Sequence, residues 1–396
     1  MKTKILVPAA VLLAVLIGGY AWLNLRPPGA TIPPPGENLQ PPPIVTPPPA
    51  VPAPSLFGIE LSTSVELNQR INEADLLRAT ELKAKWVRLW VGWNKIEETQ
   101  GILDFSYLDQ QVTALSDNGF GIVAVLMGAP PHASRIVNPP TDFEYFIGPP
   151  KLSEYENFLR AIVLRYKSRV KYWEIWNEPN DAGFWRPAPN AGDYAELLKV
   201  AYAVIKETDE NAKVLIGAVG PIPDDGDEAA GTENYHPYME FMENVLKALG
   251  DSKPFDIITL HPYRIPKGPL ETRSIKLENG QSKSVTFKEE LLEFKRLFDK
   301  YDQGNKKLWI TEIGWLANDY SSDRTDLISE NKQAEFLGQV YSAAKNDGDL
   351  SFVESIFWFN LTDFAGPGTD RFFGMVYENH SPKPAFGVYK SLASGG

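Results

Sequence analysis

The feature that most constrains how this 396-residue chain can fold is a strict alternation of short apolar runs with longer segments of helical period. The apolar runs are four to six residues long, as expected of strands buried on both faces. Between them, apolar residues recur on one helix face, as at Phe158, Leu159 and Ile162. The predicted strands are residues 57–61, 86–91, 122–127, 172–176, 214–218, 257–260, 308–311 and 355–359. Eight strands alternating with eight helices predict an α/β fold, the (β/α)8 TIM barrel.

The barrel domain is assigned to residues 56–396, which exceed the roughly 250 residues typical of this fold. The surplus follows the predicted strands, where loops build the functional site of such barrels. The long connections are residues 128–152, 219–234, 262–287, 315–328 and 360–382. A small accessory sheet within connection 262–287 stays open as an alternative to an irregular loop. Ser153 and Ser329 are predicted to cap two of the helices.

The amino-terminal segment, residues 1–25, is predicted to be a signal-anchor or transmembrane helix. Residues 5–25 form a largely apolar run of 21 residues that Arg26 ends, and about 20 are needed to span a bilayer. A cleaved signal peptide is the alternative, with Gly19 and Ala21 as small residues at the cleavage site. The anchor is favoured because bulky neighbours make that site a poor one. Either interpretation predicts an extracytoplasmic location, anchored to the cytoplasmic membrane or secreted after cleavage.

Residues 26–55 are predicted to be a Pro-rich linker, because thirteen of these thirty residues are proline. Such a chain favours an extended polyproline II helix of about 3.1 Å per residue, so it could span roughly 90 Å. The linker could carry the domain into a surface polymer layer, or it could merely separate the domain from lipid. The second interpretation is favoured because any tethered domain needs clearance.

Composition excludes several classes of partner and site. A net charge of −12 without a basic stripe argues against nucleic acid or anionic lipid as a partner. The absence of cysteine excludes disulfides, cysteine-ligated metals and a lipid anchor on cysteine. The acidic run at residues 224–228 could bind calcium, although a solvated turn is favoured. No metal and no cofactor are predicted, and the oligomeric state is left open.

Two glutamates are predicted to form the reactive centre. Glu178 ends the fourth predicted strand and Glu312 follows the seventh, so both lie at the carboxyl-terminal face of the barrel. A pair of carboxylates is the minimal equipment for cleaving a glycosidic bond, one as proton donor and one as nucleophile. Asn177 can donate a hydrogen bond to a sugar hydroxyl, and Pro179 helps to end the strand where Glu178 must project.

The motifs around these glutamates resemble a known group of enzymes. Trp-Asn-Glu-Pro on the fourth strand, together with Thr-Glu-Ile-Gly-Trp on the seventh, resembles the clan A glycoside hydrolases. The longer WEIWNEPN, followed by Phe-Trp-Arg-Pro at 184–187, is most similar to family 39 and to related membrane-anchored exopolysaccharide hydrolases. The likeness extends over nearly all of residues 56–396. It implies a retaining mechanism, with Glu178 as acid/base and Glu312 as nucleophile.

The same resemblance implies roles for further residues. Arg88 on the second strand matches the arginine that steadies the charge of the nucleophile, although it could instead be a structural partner. His261 and Tyr263, at the end of the sixth strand, match positions that line the site, where the tyrosine hydroxyl can reach the nucleophile. Glu174 shares the Glu178 face at period two and is predicted to be a structural partner of a buried base.

Three more side chains are predicted as substrate contacts. Trp358 on the eighth strand matches the aromatic that stacks beneath the sugar at the cleavage point, and an apolar ring face suits the CH-rich face of a sugar. His132 and Trp185 could line neighbouring subsites. Plain packing is the alternative for Trp358, and an ordinary loop histidine is the favoured interpretation of His132.

The leading prediction is a retaining β-glycosidase that cleaves a polysaccharide or oligosaccharide outside the cytoplasmic membrane. Endo action is favoured because tryptophans near the strand ends suit an extended cleft. Three alternatives stay open: an exo-acting, β-xylosidase-like enzyme, a transglycosylase that uses the same residues, and a non-catalytic carbohydrate-binding barrel. Xylan, glucan, mannan and a host exopolysaccharide are all compatible with the sequence.

Overall fold

The computed structural model describes residues 49–61, 71–139, 141, 143–220, 236–319, 324–364 and 371–395. Within them the strands are β1 (Phe57–Glu60), β2 (Trp86–Gly92), β3 (Gly121–Met127), β4 (Tyr172–Ile175), β5 (Lys213–Ile216), β6 (Ile258–Leu260), β7 (Arg273–Lys276), β8 (Ser282–Val285), β9 (Leu308–Ile313) and β10 (Val353–Trp358). The helices are α1 (Glu73–Glu81), α2 (Trp93–Ile96), α3 (Ser106–Asp117), α4 (Phe143–Phe146), α5 (Leu152–Tyr166), α6 (Ala191–Thr208), α7 (Tyr238–Leu249), α8 (Phe287–Asp299), α9 (Glu330–Asn346) and α10 (Pro384–Ala393).

Eight parallel strands form one sheet in the order β5-β4-β3-β2-β1-β10-β9-β6. Isolated parallel bridges from Leu215 to Ile257 and from Val219 to Leu260 join its two end strands. The predicted (β/α)8 barrel is therefore confirmed, and each predicted strand is found within a few residues of its bounds. The accessory sheet left open after the sixth strand is also present, as the antiparallel pair of β7 and β8.

The inside of the barrel is filled at its amino-terminal end by large apolar side chains. Trp86, Trp309 and Phe357 belong to a small buried cluster that is separate from the larger layer between barrel and helices. The Trp309 ring stacks on Tyr172, with centroids 5.0 Å apart. Because side chains alternate along a strand, the residues two positions further on face inward one layer higher. That layer lies at the carboxyl-terminal face and contains the polar residues of the site.

The last residues assigned to the linker contact the barrel. The Trp86 indole donates a hydrogen bond to the Ala53 carbonyl (3.0 Å), and the Ser355 hydroxyl donates to the Ser55 carbonyl. Val51 packs against the inner apolar cluster. Residues 51–55 therefore lie against the amino-terminal end of the barrel.

The predicted membrane helix lies outside the described residues, as does the linker up to residue 48. Among the helices that the structure does describe, none has both the length and the apolar character needed to cross a bilayer. The acidic run at 224–228 also lies outside the described residues.

Candidate active site

A fully buried arginine is the centre of the polar layer at the carboxyl-terminal face. Arg88 Nε donates to Glu174 Oε2 (2.8 Å), and Nη2 donates to Asn177 Oδ1 (2.9 Å). Arg88 Nη1 donates to Glu60 Oε2 (2.9 Å) and also to Glu312 Oε1. One guanidinium therefore orients three carboxyl groups and an amide, as its fan of five N–H donors allows. The structural pairing predicted for Glu174 is confirmed.

The Glu312 carboxyl group receives a donor on each oxygen. Arg88 donates to Oε1, and the Tyr263 hydroxyl donates to Oε2 (2.9 Å). Burial raises the pKa of Tyr263 well above its usual value, and the neighbouring Glu312 raises it further. Tyr263 thus keeps its proton and acts as a donor. Donors on both oxygens suit a carboxylate.

Glu178 leaves the strand through an unusual backbone path. Trp176 and Glu178 both have positive φ, of 71° and 40°, and the Glu178 N–H donates to the Ala218 carbonyl (2.9 Å). A Cβ at Gly220 would come within 2.3 Å of Glu178 Oε1, so this position leaves no room for a side chain. The Glu178 side chain is almost fully buried. Burial raises its pKa to about 7, Arg88 lowers it, and Glu174 raises it.

His261 connects the Glu178 carboxyl group to the Arg88 network. Its Nδ1 lies 2.9 Å from Glu178 Oε1 and its Nε2 lies 3.0 Å from Thr311 Oγ1. Burial lowers the pKa of His261 to about 4, so the ring is neutral. The Thr311 hydroxyl donates to Glu174 Oε1 (3.0 Å), which leaves its oxygen to accept from His261 Nε2–H. In that tautomer Nδ1 is an acceptor, and Glu178 must carry the shared proton.

The same histidine limits the distance between the two carboxyl groups. His261 Nδ1 lies 2.9 Å from Glu178 Oε1 and 3.7 Å from Glu312 Oε2. These two oxygens can be no farther apart than the two distances laid end to end, about 6.6 Å, so both carboxyl groups face one point of the site.

The aromatic residue that faces the site on β10 is not the predicted one. Trp358 is fully buried, contacts Trp315 (ring centroids 5.9 Å apart) and belongs to the layer between barrel and helices. Phe359, one residue later, is only half-buried and contacts Tyr263 and Phe373, at centroid distances of 6.3 and 5.2 Å. The prediction that Trp358 stacks beneath a sugar is corrected, because alternation turns its ring away from the barrel axis.

Trp185 is not a substrate contact, and the structure does not test the predicted role of His132. Trp185 is fully buried, with ring contacts to Trp176 and Tyr194, and offers no surface to a sugar. The His132 ring lies 3.3 Å from Glu97 Oε1, and its side chain is 17% exposed. No contact joins His132 to the two catalytic candidates among the described residues, so its subsite role stays a prediction.

Sequence reasoning missed several polar residues of the site. Glu60 ends β1 opposite Arg88 in the parallel register, and Thr311 precedes the nucleophile candidate. Asp181 is buried one turn after Glu178, and burial together with Glu178 raises its pKa to about 7. The period-two pattern could have found Glu60 and Thr311, because both occupy inward positions of predicted strands. Across the described ranges, no three histidine or acidic side chains are grouped so that they could bind a metal ion.

Comparisons with solved structures show the same fold. A structure of a family 39 glycoside hydrolase from Bacteroides cellulosilyticus WH2 superposes with a TM-score of 0.62 at 22% identity, covering 87% of this chain and 65% of that one. A monomeric beta-xylosidase from Caulobacter crescentus CB15 gives 0.59 at 19% identity, with coverages of 87% and 69%. At these identities the likeness shows the fold. This chain spans about two-thirds of the length of those enzymes.

A relative by sequence and a family model extend the comparison. A thermostable celloxylanase of Thermoclostridium stercorarium is 40% identical over 60 residues, which are 14% of this chain and 16% of that enzyme. The model of the glycosyl hydrolases family 39 matches residues 85–394, which contain both catalytic candidates. The chain therefore belongs to the glycosyl hydrolases family 39.

Proposed function

We propose that this chain is a retaining β-glycosidase that cleaves a β-linked polysaccharide internally, outside the cytoplasmic membrane. The observation that carries the proposal is the contrast between two neighbouring carboxyl groups. Glu178 is bound to a histidine nitrogen that requires its proton, whereas Glu312 receives donors from Arg88 and Tyr263. Two neighbouring carboxyl groups, one bound to an acceptor and the other bound to donors, suit the acid and the nucleophile of double displacement.

The first step forms a glycosyl-enzyme. A Glu312 oxygen attacks the anomeric carbon while Glu178 gives its proton to the departing glycosidic oxygen, so the bond to the leaving sugar breaks as the ester bond forms. Glu178 is then a carboxylate. It takes a proton from water, whose oxygen attacks the anomeric carbon and releases Glu312. The sugar leaves with its original configuration, and Glu178 has regained its proton.

The separation of the two carboxyl groups supports retention over inversion. An inverting enzyme needs room for a water molecule between the sugar and its base, and so places its carboxyl groups farther apart than a retaining enzyme does. A separation within reach of one histidine nitrogen instead suits direct attack by Glu312.

Separate observations support the proposed substrate and location. The similar proteins are described as a celloxylanase and a beta-xylosidase, which makes β-linked xylan and cellulose the first polymers to test. Internal cleavage is supported by the half-exposed Trp90 at the end of β2, which suits a cleft wall. The apolar run 5–25 and the Pro-rich segment 26–55 support a location outside the cytoplasm.

The test is reducing-end release by the purified chain on xylan, cellulose, β-glucan, mannan and the producing cell's own exopolysaccharide. Glu312→Gln should lower release at least about a thousandfold on the polymer that is cleaved, because the nucleophile is lost while the shape is kept. The matched control is Glu354→Gln, which changes a carboxyl group on β10 that accepts from the Trp309 indole (2.8 Å) at the amino-terminal end of the barrel.

The products decide between the detailed claims. A ladder of oligosaccharides would support internal cleavage, and single sugars alone would show trimming from an end. Equal release by wild type and Glu312→Gln would overturn the assigned nucleophile. A first product of inverted anomeric configuration, seen by NMR, would overturn retention.

A further inference from the structure

Glu60 is a buried carboxyl group of the site to which the proposed mechanism gives no part. It ends β1 and pairs in register with Arg88, and it is only 4% exposed. One oxygen, Oε2, accepts from Arg88 Nη1 (2.9 Å). The other, Oε1, accepts from the Trp90 indole N–H (2.6 Å). A carboxyl group this deeply buried is costly to place, so both of its contacts require an explanation.

The first contact links Glu60 to the nucleophile candidate. Arg88 Nη1 donates to Glu60 and to Glu312 at once, so the two carboxyl groups share one nitrogen. The position of the Arg88 guanidinium at Glu312 therefore depends on the hydrogen bond that Glu60 accepts from Nη1. Removing that acceptor frees Nη1 to move.

The second contact orients an aromatic ring at the mouth of the barrel. Trp90 continues the inward face of β2, two residues after Arg88, whose guanidinium carbon lies 5.2 Å from the indole centroid. On the β4 side the ring approaches Phe184, at a centroid distance of 6.5 Å. The indole is half-buried, so part of it faces solvent. Its single N–H is bound by Glu60, which sets the rotation of the ring.

We propose that Glu60 is a positioning residue with two arms: one oxygen fixes the Trp90 indole as a wall on which a substrate sugar packs, and the other holds Arg88 Nη1 at the nucleophile. An indole face suits the CH-rich face of a sugar ring. The Trp90 arm acts on substrate binding, and the Arg88 arm acts on the chemical step. The inference rests on the proposed function and assigns Glu60 no direct part in bond cleavage.

A double-mutant cycle separates the two arms. Both partners of Glu60 are N–H donors, and a glutamine offers only one acceptor oxygen, so Glu60→Gln loses at least one contact. Trp90→Phe removes the indole N–H but keeps an aromatic ring and leaves the contact between Glu60 and Arg88 intact. kcat and KM are measured for the full chain, on oligosaccharides of the panel polymer that is cleaved fastest.

The two arms predict different kinetic signatures. Glu60→Gln should raise KM and lower kcat, each about fivefold to tenfold, the size expected of a lost hydrogen bond to a charged or polar group. Trp90→Phe should raise KM by a similar factor and leave kcat within about twofold. In the double variant, KM should be no higher than in the worse single variant, because Glu60 acts on KM only through Trp90. Its kcat should equal that of Glu60→Gln.

Glu354→Gln provides a matched control, because it breaks an equivalent bond between a glutamate and an indole at the other end of the barrel. It should leave both constants unchanged, and equal losses there would overturn the inference as a general effect on the barrel. Melting temperatures establish that each variant is folded. If Glu60→Gln does not fold, Trp90→Phe still tests the Trp90 arm, because an unchanged KM in that variant would refute it.

Other outcomes separate this inference from the proposed function. If the wild type is active and Glu60→Gln has the same kcat and KM, the role of Glu60 is refuted and the proposed function is not. Additive increases of KM in the double variant would refute action through Trp90. A wild type that is silent on every polymer, or as active after Glu312→Gln, would refute the proposed function, and the inference with it.

Discussion

The two candidate catalytic residues are the same amino acid, and only their surroundings distinguish them. Glu178 meets an acceptor nitrogen of neutral His261, whereas Glu312 meets two donors. A glutamate whose partner is an acceptor keeps its proton, and one whose partners are donors serves as a carboxylate. The division of roles is thus set by single atoms of neighbouring side chains, which lie on strands remote in sequence.

The raised pKa of Glu178 predicts the alkaline limb of the pH-rate profile. Below about pH 7 the acid is protonated, and above it the acid is lost, so kcat/KM for an unactivated substrate should fall about tenfold per pH unit. A 2,4-dinitrophenyl glycoside of the same sugar needs no proton on its leaving group, and should show no such fall. An alkaline limb that is equally steep for both substrates would contradict the assignment of Glu178.

The Tyr263 hydroxyl is expected to assist the nucleophile. Tyr263→Phe removes the donor to Glu312 Oε2 and should lower kcat/KM about tenfold to a hundredfold, because a hydrogen bond to a charged group is lost beside the reacting atom. Tyr389→Phe is the matched control, since that buried hydroxyl donates to the Gly58 carbonyl in the outer layer (3.1 Å). Steady-state kinetics of both variants test the prediction, which fails if the two lose activity equally.

At the scale of elements, the sequence pattern predicted the barrel strands because a strand buried on both faces has a continuous run of apolar residues. The assignment of faces was harder, since a shift of one residue reverses every side chain. Trp358 was chosen by its likeness to a family position, and Phe359 is the residue that faces inward. Among the caps, Ser329 is confirmed, whereas α5 begins at Leu152, so the prediction for Ser153 is wrong.

A buried ion cluster ties the insertion after β6 to the barrel. Glu290 on α8 is fully buried and accepts from Arg264 Nη1 (2.8 Å), Arg273 Nε (3.0 Å) and the Tyr238 hydroxyl (3.0 Å). Arg264 directly follows Tyr263, and Arg273 begins β7. The cluster thus anchors both the hairpin and the loop that carries site residues.

Glu290→Gln should therefore destabilise the protein strongly. It leaves two buried guanidinium groups without a counter-charge, and breaking a buried ion pair costs about 3–5 kcal/mol. The control is Lys295→Gln on the same helix, which breaks an exposed pair with Asp299 and should cost about 0.5 kcal/mol or less. Denaturant unfolding of the two variants measures the difference, and comparable losses would count against the cluster as an anchor.

At the scale of the whole molecule, composition divides the sequence into an apolar segment, a Pro-rich linker and the barrel domain. Composition alone does not show where the linker ends. Proline content places residues 49–55 in the linker, but contacts of Val51, Ala53 and Ser55 place their end against the barrel. Those contacts join residues that are distant in sequence, so no local sequence pattern predicts them. The same holds for the partners of Glu60, Arg88 and Trp90, which lie on β2.

Two truncations test the segment boundaries together. Removing residues 1–48 should release the protein from the membrane fraction. Its kcat/KM on soluble oligosaccharides should stay within about twofold of the full chain, because Ala53 and Ser55 meet the barrel at the end opposite the site. Removing residues 1–55 should in addition lower the melting temperature by several degrees, since the Ala53 and Ser55 contacts and the packing of Val51 are lost. Equal melting temperatures would show that residues 49–55 add nothing to the barrel. Retention of both truncated proteins in the membrane fraction would contradict an anchor in residues 1–25.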